Sequence, residues 1–480
     1  MSPINFESFY NVIDGKLEAT AETRHGINPA TLEKLPPVPI STHRDVNRAI
    51  DAAKSAATGW AATPMEERKQ RVMQYADAVI ALADQFGQML TTEQGKPLSF
   101  AIGEAHAAAT FLKGFAKMDL PERVIEDTEH RRVVTRYVPV GVCVGIVPWN
   151  CMSILEVTFK MGPALVSGCT IILKPSPFTP YCDIKMIELA QQFFPPGVVQ
   201  VLSGDGSLGP LLTENPDVAK ISFTGSTATG IRVSQSAAPS LKKVTLELGG
   251  NDPAIICSDI DIPKVAAKAA MKAFTNSGQV CISIERLYGH SSIYDQFMVE
   301  LLEATKSLIV GNGMNELTNL GPIQNEMQYE RLRAFVASIE HDKLTIAAGD
   351  SKNAFPSGNG YFMNPLVVDN PPEDSRVVVE EPFGPILPVL KWDTEEDVIK
   401  RANKSAGGLG ASVWSRDAVQ AERMAVQLQA GMVWINTHAE LQVDAVFRGH
   451  KHSGIGSELG IEGLKAYCLT QSIVHDKIGA

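Results

Sequence analysis

Residues 142–150 read Val-Cys-Val-Gly-Ile-Val-Pro-Trp-Asn, and this stretch decides the fold class of the chain. The apolar run 142–147 predicts a strand that is buried on both faces and that ends at the proline. Comparable short apolar runs follow at 170–173, 198–202, 219–223 and 244–248, and helical patterns separate them. Short apolar strands that alternate with helices indicate an α/β fold with a parallel sheet covered on both faces.

The carboxyl end of each of these five predicted strands is polar or rich in glycine. The residues there are Pro148-Trp149-Asn150, Lys174-Pro175-Ser176-Pro177, Gly204-Asp205-Gly206, Thr224-Gly225-Ser226 and Glu247. Ligands of parallel sheets bind beyond the carboxyl ends of the strands. Because parallel strands point the same way, we expect these groups to share one edge of the sheet and to form a ligand site.

The segments that flank this sheet have different patterns. Residues 43–118 predict helices, with Ala-rich periodic segments at 66–90 and 99–117. Residues 249–450 restart with a predicted strand at 253–257 and a helix at 263–275, which indicates a second α/β domain facing the first.

Residues 121–140 alternate as an exposed strand would, with Arg132, Val134 and Arg136 interleaved with other side chains. The edge of such a ribbon is a candidate for pairing between subunits, although an ordinary surface hairpin would show the same pattern. The strand-like run 469–474 is a candidate partner for it.

Composition limits the classes of function. The chain has 480 residues, 44% of them hydrophobic and 20% charged, which is typical of a globular protein with more than one core. The net charge of −11 argues against nucleic acid or an anionic membrane as partner.

Seven cysteines without a C-x-x-C pair predict a reducing compartment. No leader pattern or spanning apolar run is present, so we expect a cytoplasmic protein, and the histidines predict no metal site.

Two glycine-rich turns are candidate phosphate-binding elements. Residues 204–209 match G-x-G-x-x-G, and residues 225–230 offer Ser226 or Thr227 as a helix cap that presents N–H donors. Glycines are common in tight turns between strand and helix, so we expect one of the two to be only a turn. Lys174 either reaches solvent or contacts a polar ligand such as a ribose hydroxyl or a phosphate.

Three residues are candidates for covalent catalysis. Cys281 lies on a turn of small residues and is either a nucleophile or an inert buried thiol. Glu247 stands between two leucines and before two glycines, as a desolvated base or as a salt-bridged residue. Asn150 could form half of an oxyanion hole or cap a helix. A thiol that attacks a carbonyl and a carboxylate that activates water would together make a covalent catalyst.

Taken together, these motifs resemble the aldehyde dehydrogenase superfamily over nearly the whole chain. The matching motifs are P-W-N at 148–150, K-P-S at 174–176, F-T-G-S at 223–226 with Gly230, L-E-L-G-G at 246–250, G-Q-V-C at 278–281, E-E-P-F-G-P at 380–385 and K-H-S-G-I-G-S-E-L-G at 451–460. The resemblance implies a Rossmann-like cofactor domain, a second α/β catalytic domain and a small β-arm. These parts would comprise 1–120 with 140–248, 249–467, and 121–139 with 468–480.

The resemblance implies NAD(P)-dependent oxidation of an aldehyde to a carboxylic acid. Cys281 would attack the aldehyde, and the Asn150 side chain with the Cys281 N–H would hold the oxyanion. After hydride passes to the nicotinamide, Glu247 would activate water to hydrolyse the thioester. Lys160 and Glu458 resemble the proton path that serves this base.

The resemblance also implies a cofactor site, which would be lined by Trp149, Lys174, Ser176, Gly225, Ser226 and Gly230, with Glu381 on the nicotinamide ribose and Phe383 beside the ring. The family often has an acidic residue where this chain has Pro177, so the choice between NAD and NADP stays open and dual use is possible. Arg448 stands where glycine is usual, and it either distorts the loop or contacts an anionic substrate.

Positions that resemble the family's substrate funnel are Cys151, Leu155, Phe159, Val280, Ile282 and Leu441. They are apolar and predict an aliphatic or aromatic small-molecule aldehyde rather than a charged semialdehyde. The family assembles through its β-arm, which implies a homodimer or homotetramer. A CoA-acylating semialdehyde dehydrogenase and an idle binding protein on the same scaffold are alternatives. Glu247 argues against the first, and Glu247 with Cys281 argues against the second.

Overall fold

The computed structural model describes residues 4–150 and 153–477. The strands of this part are β1 (Asn11–Ile13), β2 (Lys16–Glu18), β3 (Thr23–Ile27), β4 (Lys34–Pro39), β5 (Arg123–Asp127), β6 (Arg131–Pro139), β7 (Val142–Ile146), β8 (Thr170–Lys174), β9 (Val199–Val201), β10 (Lys220–Thr224), β11 (Lys243–Glu247), β12 (Pro253–Ile256), β13 (Arg286–His290), β14 (Ile346–Ala348), β15 (Leu366–Asp369), β16 (Ile386–Trp392), β17 (Gly410–Trp414), β18 (Met432–Ile435), β19 (Gly454–Ile455) and β20 (Cys468–Asp476).

The helices are α1 (His43–Ala62), α2 (Met65–Ala81), α3 (Ala83–Gln94), α4 (Leu98–Lys117), α5 (Ser153–Ser167), α6 (Tyr181–Ala190), α7 (Leu208–Thr213), α8 (Thr227–Ala237), α9 (Ile262–Phe274), α10 (Tyr294–Lys306), α11 (Glu326–His341), α12 (Arg376–Val379), α13 (Glu395–Ala402), α14 (Ala418–Ala425) and α15 (Gly460–Lys465). The predicted helical segment 66–90 is two helices, α2 and α3. The chain leaves helical geometry at Leu82, whose φ and ψ are −112° and 16°.

The first sheet has the strand order β19-β11-β10-β7-β8-β9-β1-β2. Its strands β11, β10, β7, β8 and β9 are parallel; β19 and β1 pair antiparallel with the two ends of this set, and β2 pairs antiparallel with β1. This confirms the predicted parallel sheet, with strand bounds that agree to within a residue or two. The edge strands β1 and β2 had no predicted counterpart, because they are only three residues long.

Both faces of this sheet are covered, as continuous apolar strands require. Ile171 and Leu173 of β8 pack with α2 to α6, whereas Ile172 between them packs with α1, α7 and α8. Successive side chains of a strand point to opposite faces, so one short apolar run contributes to two cores. Each large side chain buried in this way contributes roughly 1.5–3 kcal/mol to stability.

The second sheet has the order β14-β15-β16-β13-β12-β17-β18 and is parallel except for its edge strand β14. Helices α9 and α10 cover one face, and α11 to α14 cover the other. The predicted strand at 253–257 and helix at 263–275 correspond to β12 and α9. Asp261 caps α9 by accepting a hydrogen bond from the Lys264 N–H.

A separate three-stranded antiparallel sheet is formed by β5, β6 and β20, and we refer to it as the arm. The pairing of β6 with β20 runs without interruption from Pro139 opposite Cys468 to Arg131 opposite Asp476. The predicted strand in 121–140 and its pairing with 469–474 are therefore confirmed. Its role in assembly stays a prediction.

In the described part of the chain, no helix combines the length and the apolar character that crossing a bilayer requires.

Candidate active site

Cys281 follows a tightly constrained turn that leads out of α9. In the 3₁₀ turn Thr275–Gly278, Asn276 and Ser277 have φ angles of 54° and 56°, in the left-handed region that non-glycine residues rarely adopt. Hydrogen bonds hold this strained backbone: Ser277 Oγ donates to Gly321 O at 2.6 Å, and Gln279 Nε2 donates to Asn276 O at 2.9 Å. Cys281 itself is half-buried, so a rigid loop presents an accessible thiol.

Glu247 is the last residue of β11, and its side chain lies in the interior rather than on the surface. Neither carboxylate oxygen has a hydrogen-bond partner among the described residues. Burial raises the pKa of Glu247 well above its usual range, and the carboxylates of Glu458 and Glu156 raise it further, whereas Lys160 and Arg448 oppose them. A carboxylate in this environment has the proton affinity that a general base needs.

The backbone of Gly249 and Gly250 brings separate parts of the site together. A Cβ atom at Gly249 would clash with Glu381 Oε2, and one at Gly250 would lie 2.7 Å from the carbonyl oxygen of Cys281. The segment that carries Glu247 therefore passes directly between Glu381 and the Cys281 loop. Only glycine permits so close an approach at both positions.

Asn150 is buried, and its Nδ2 donates to the backbone oxygen of Gln279 at 3.0 Å. This bond joins the segment that follows β7 to the turn that carries Cys281. The structure thus brings together the three residues that the sequence predicted for covalent catalysis.

Lys160 lies at the centre of a buried polar cluster. Its Nζ donates to Glu156 Oε2 at 2.7 Å, to Thr224 Oγ1 at 2.8 Å and to Glu458 Oε1 at 3.2 Å. The sequence prediction included Lys160 and Glu458 and named Thr224 only as a strand end, whereas it missed Glu156. The spacing of Glu156 four residues before Lys160 on a helix was the signal that could have found it.

Lys174 ends β8 and is almost entirely buried. Burial, and next the charge of Arg24, lower the pKa of Lys174 to about 8. Its Nζ donates to Pro175 O at 3.2 Å, and Arg24 donates to Pro177 O. Two cations, Lys174 and Arg24, therefore lie at the segment 174–177, next to Ser176; we call this part of the site the corner. The acid that faces both is Asp205, whose pKa is lowered by hydrogen bonds from Ser207 and then by these cations.

The two glycine-rich turns differ in the structure. Ser226 caps α8, an eleven-residue helix, by accepting a hydrogen bond from the Thr229 N–H. Gly225 N–H donates to Glu247 O at 3.0 Å, which ties this turn to the base. Gly230 packs so closely on Leu248 that a Cβ atom would contact its side chain at 2.5 Å. The turn at 204–206 precedes α7, which has only six residues. The turn at 225–230 is therefore the better anion site.

Phe383, two residues after Glu381, lies beside Trp149. The Trp149 and Phe383 rings meet edge to face, with centroids 5.5 Å apart. Gln328 Nε2 donates to Phe383 O at 2.8 Å, which holds Phe383 at a φ of 53°. Burial raises the pKa of Glu381 to about 7. Glu381 Oε1 is buried without a partner in the described part of the chain, and a ribose hydroxyl is the kind of donor it would accept. These residues fit a dinucleotide.

A cavity of about 370 Å³ opens beside the Cys281 loop. Four of the predicted funnel residues line it: Leu155, Val280, Ile282 and Leu441. Phe159 was predicted to line the cavity, but it does not. It is buried behind the lining and packs on Phe111, with the ring centroids 5.0 Å apart. Cys151 lies outside the described residues.

The cavity wall is less apolar than the sequence predicted. Lys96, Glu104 and Lys272 also line it, and none of them was expected. Lys96 donates to Glu104, and both are buried. Lys272 Nζ lies 3.7 Å from Oε1 of Glu440, a residue whose side chain is largely exposed.

Arg448 is exposed, and its charge lowers the pKa of the buried Glu247. Its carbonyl oxygen leaves no room for a Cβ atom at Gly431. Within residues 4–150 and 153–477, no group of three or more His, Cys, Asp or Glu side chains is placed to hold a metal ion.

Comparison with known proteins agrees with this geometry. The model of the aldehyde dehydrogenase family matches residues 17–473. The chain is 37% identical over 470 residues to the aldehyde dehydrogenase LUC3 of a Fusarium species, covering 98% of this chain and 99% of that protein. It is 35% identical to the NADP⁺-dependent succinate-semialdehyde dehydrogenase GabD of Escherichia coli K12, covering 92% of each.

Among solved structures, betaine aldehyde dehydrogenase from Staphylococcus aureus in complex with NAD⁺ superposes with a TM-score of 0.94. That protein is 32% identical to this chain, and the match covers 98% of this chain and 96% of the other. The fold and the relatives are those of an NAD(P)-dependent oxidoreductase. The chain belongs to the aldehyde dehydrogenase family.

Proposed function

We propose that this enzyme oxidises an aldehyde to a carboxylic acid, with Cys281 as the nucleophile and Glu247 as the base that activates water. The observation that carries the proposal is the contact of one backbone segment, Gly249-Gly250, with both Glu381 and the Cys281 loop. This contact supports the proposal, because a base at Glu247, a nucleophile at Cys281 and a ribose-binding carboxylate at Glu381 would have to lie close together.

In the first step, the Cys281 sulfur adds to the aldehyde carbon and a thiohemiacetal forms. The Asn150 amide and the Cys281 N–H would donate to the developing oxyanion. One such donor is worth on the order of 10²- to 10³-fold in rate. When bound, NAD⁺ or NADP⁺ supplies the oxidant that converts the thiohemiacetal to a thioester.

In the second step, Glu247 takes a proton from water, and the resulting hydroxide attacks the thioester carbonyl. The carbon–sulfur bond breaks, the carboxylic acid leaves and the Cys281 thiolate is restored. Glu247 then passes its proton on through neighbouring carboxylates. Because a base that delivers water competes with transfer to CoA, the buried position of Glu247 favours hydrolysis over the CoA-acylating alternative.

For the substrate, we propose an aldehyde with an aliphatic or aromatic body. Leu155, Val280, Ile282 and Leu441 supply an apolar wall close to the thiol. Lys96 does not oppose this proposal, because the carboxylate of Glu104 already neutralises it.

For the cofactor, we propose that NADP is accepted as well as NAD. Arg24 and Lys174 bring two positive charges to the corner where Pro177 replaces an acid, and Asp205 offsets only one of them. A 2′-phosphate would therefore meet net positive charge there. Binding of NAD⁺ and NADP⁺ without substrate, measured by titration calorimetry, tests this proposal without reference to activity.

We further propose that the arm pairs subunits into a dimer or tetramer in the cytoplasm. The apolar side chains of Val124, Ile125, Leu469 and Val474 on the arm are about half exposed in the single chain.

The deciding experiment is a matrix of aldehydes against NAD and NADP, with kcat/KM measured for each pair. Product analysis should give the free acid with or without CoA. The Cys281→Ala variant serves as the control. Acyl-CoA formed in preference to acid, or near-native turnover by Cys281→Ala, would overturn the proposed mechanism.

A further inference from the structure

Glu156 has no role in the mechanism so far, yet it touches the centre of the proton path. It lies one turn before Lys160 on α5 and is nearly inaccessible to solvent. Its Oε2 accepts hydrogen bonds from Lys160 Nζ at 2.7 Å and from Thr224 Oγ1 at 2.9 Å.

The hydrogen bonds of Lys160 are fully accounted for. An ammonium group has three N–H donors, and those of Lys160 go to Glu156, Thr224 and Glu458. Thr224 accepts from Lys160 and donates to Glu156, so the three side chains form a closed triangle. Glu458 is the outer partner, at 3.2 Å, and its Oε1 also accepts from Ser222 at 2.9 Å.

The charges in this cluster do not balance. Three buried carboxyl groups, Glu156, Glu247 and Glu458, surround Lys160, the one cation that hydrogen-bonds within this cluster among the described residues. Burial alone would lower the pKa of Lys160, but Glu156 and Glu458 outweigh it and raise the pKa overall. Burying three carboxylates beside one ammonium is strongly unfavourable, so at least one carboxyl must hold a proton at neutral pH.

The hydrogen bonds indicate where this proton resides. Glu156 has the shortest contact with the ammonium and a second donor in Thr224, so it is the group that stays ionised. Glu458 Oε2 and both oxygens of Glu247 have no hydrogen-bond partner among the described residues. The proton is therefore held by Glu247 or Glu458.

Resting on the function proposed above, we propose that Glu156 is a positioning residue of the deacylation step. It fixes Lys160 as the common counter-ion, and its negative charge makes Glu247 and Glu458 hold their shared proton more firmly. Because Glu247 is active as a base only when it has lost that proton, the charge of Glu156 sets the pH at which hydrolysis begins.

Other charged groups also face the cluster. Arg448 opposes the carboxylates at Glu247, and Lys220 and the buried Tyr467 both face Glu458. Asp183 of α6 faces Glu156, and burial raises its pKa well above the usual range, which keeps it neutral. None of these groups is hydrogen-bonded to Lys160 as Glu156 is, so its contribution can be isolated by substitution.

The test is the pH dependence of thioester hydrolysis in Glu156→Gln, which removes the charge and keeps the shape. Loss of a buried negative charge should lower the pKa of Glu247. The acid limb of the pH–rate profile should therefore move to lower pH by about one unit. Lys160→Met removes the counter-ion and should move the same limb up. Glu156→Asp keeps the charge and should leave the limb close to that of the wild type.

A matched control is Glu188→Gln on α6. Glu188 accepts from the buried Lys185 at 2.6 Å, in a similar pair outside the Lys160 cluster, and its removal should leave the limb unchanged. If Glu156→Gln does not fold, Thr224→Val takes its place, because it removes one of the two donors of Glu156. The proton should then shift towards Glu156, and the limb should again move down.

Two failures can be told apart. An unmoved acid limb in folded Glu156→Gln or Thr224→Val, in an enzyme whose wild type oxidises aldehydes, would overturn this inference alone. Absence of NAD(P)H production by the wild type would overturn the proposed function instead. A second readout is the infrared band of protonated carboxyl groups at neutral pH, which should weaken in Glu156→Gln and stay unchanged in Glu188→Gln.

Discussion

The Glu247→Gln variant separates the two halves of the proposed reaction. Glutamine has the shape of glutamic acid but cannot accept a proton from water. Thiol addition and oxidation rely on Cys281 and Asn150, so these steps should continue. Hydrolysis of the thioester should slow by about 10²- to 10⁴-fold, the usual contribution of a general base, which corresponds to ~3–5 kcal/mol on the barrier.

The assay is rapid mixing of enzyme, cofactor and aldehyde, with NAD(P)H followed by absorbance. The variant should form about one NAD(P)H per active site in a burst and then turn over slowly, because the acyl group stays on Cys281. Mass spectrometry of the quenched protein should find the acyl adduct. If the burst disappears together with the steady state, Glu247 acts before or during oxidation, and the assignment of Glu247 to hydrolysis is refuted.

A stability measurement keeps this result from being confused with misfolding. The pKa of Glu247 is raised in the folded state, so its contribution to stability is present below the unfolded pKa and is lost as the pH rises through the folded pKa. Glutamine does not ionise and avoids this loss. The variant should therefore melt at a higher temperature than the wild type at alkaline pH and at a similar temperature in acid.

Three further predictions concern the nucleophile, the cofactor corner and the arm. Cys281→Ala should lose dehydrogenase turnover and give no burst while still binding cofactor, as measured by stopped-flow absorbance and titration calorimetry. Arg24→Gln should weaken binding of NADP⁺ about tenfold and that of NAD⁺ much less, because one charge facing the 2′-phosphate is lost; equal weakening would contradict the cofactor proposal. Ile473→Pro, in the middle of β20 opposite Val134, removes a backbone N–H that pairs with β6 and should disrupt the arm. Light scattering should then find a smaller assembly, and an unchanged mass would show that other surfaces hold it together.

The parallel sheets could be predicted because their signal is local. A strand such as β7 is apolar along its whole length, and a proline follows its end. The apolar run and the proline are enough to locate the strand in the sequence. The short edge strands β1 and β2 could not be found in this way, because three residues carry no measurable period. The break at Leu82 was missed because no proline or glycine accompanies it.

The catalytic residues were predictable to the extent that the chain carries them in recognisable motifs. Glu156 and the cavity residue Lys272 were not, since a charged residue on a helix usually faces solvent, and neither was Lys96, which lies in the turn between α3 and α4. Whether Glu156 turns inward depends on Lys160 and Thr224, and Thr224 comes from a strand more than sixty residues away. For Phe159 the error was the reverse, because a residue predicted to line the cavity is buried in the core. Phe159 packs on Phe111, and Phe111 lines the cavity instead.

The close packing of Gly249 and Gly250 has a consequence for laboratory evolution of this enzyme. An added methyl group would meet the Glu381 carboxylate at Gly249 and the carbonyl oxygen of Cys281 at Gly250, so a change at either position would disturb the proposed site. The cavity wall is different, because Phe111, Leu155, Ile282 and Leu441 come from separate segments of the chain. A mutant library aimed at new aldehydes should therefore leave residues 246–250 untouched and diversify the wall, where each position can change independently of the chemistry.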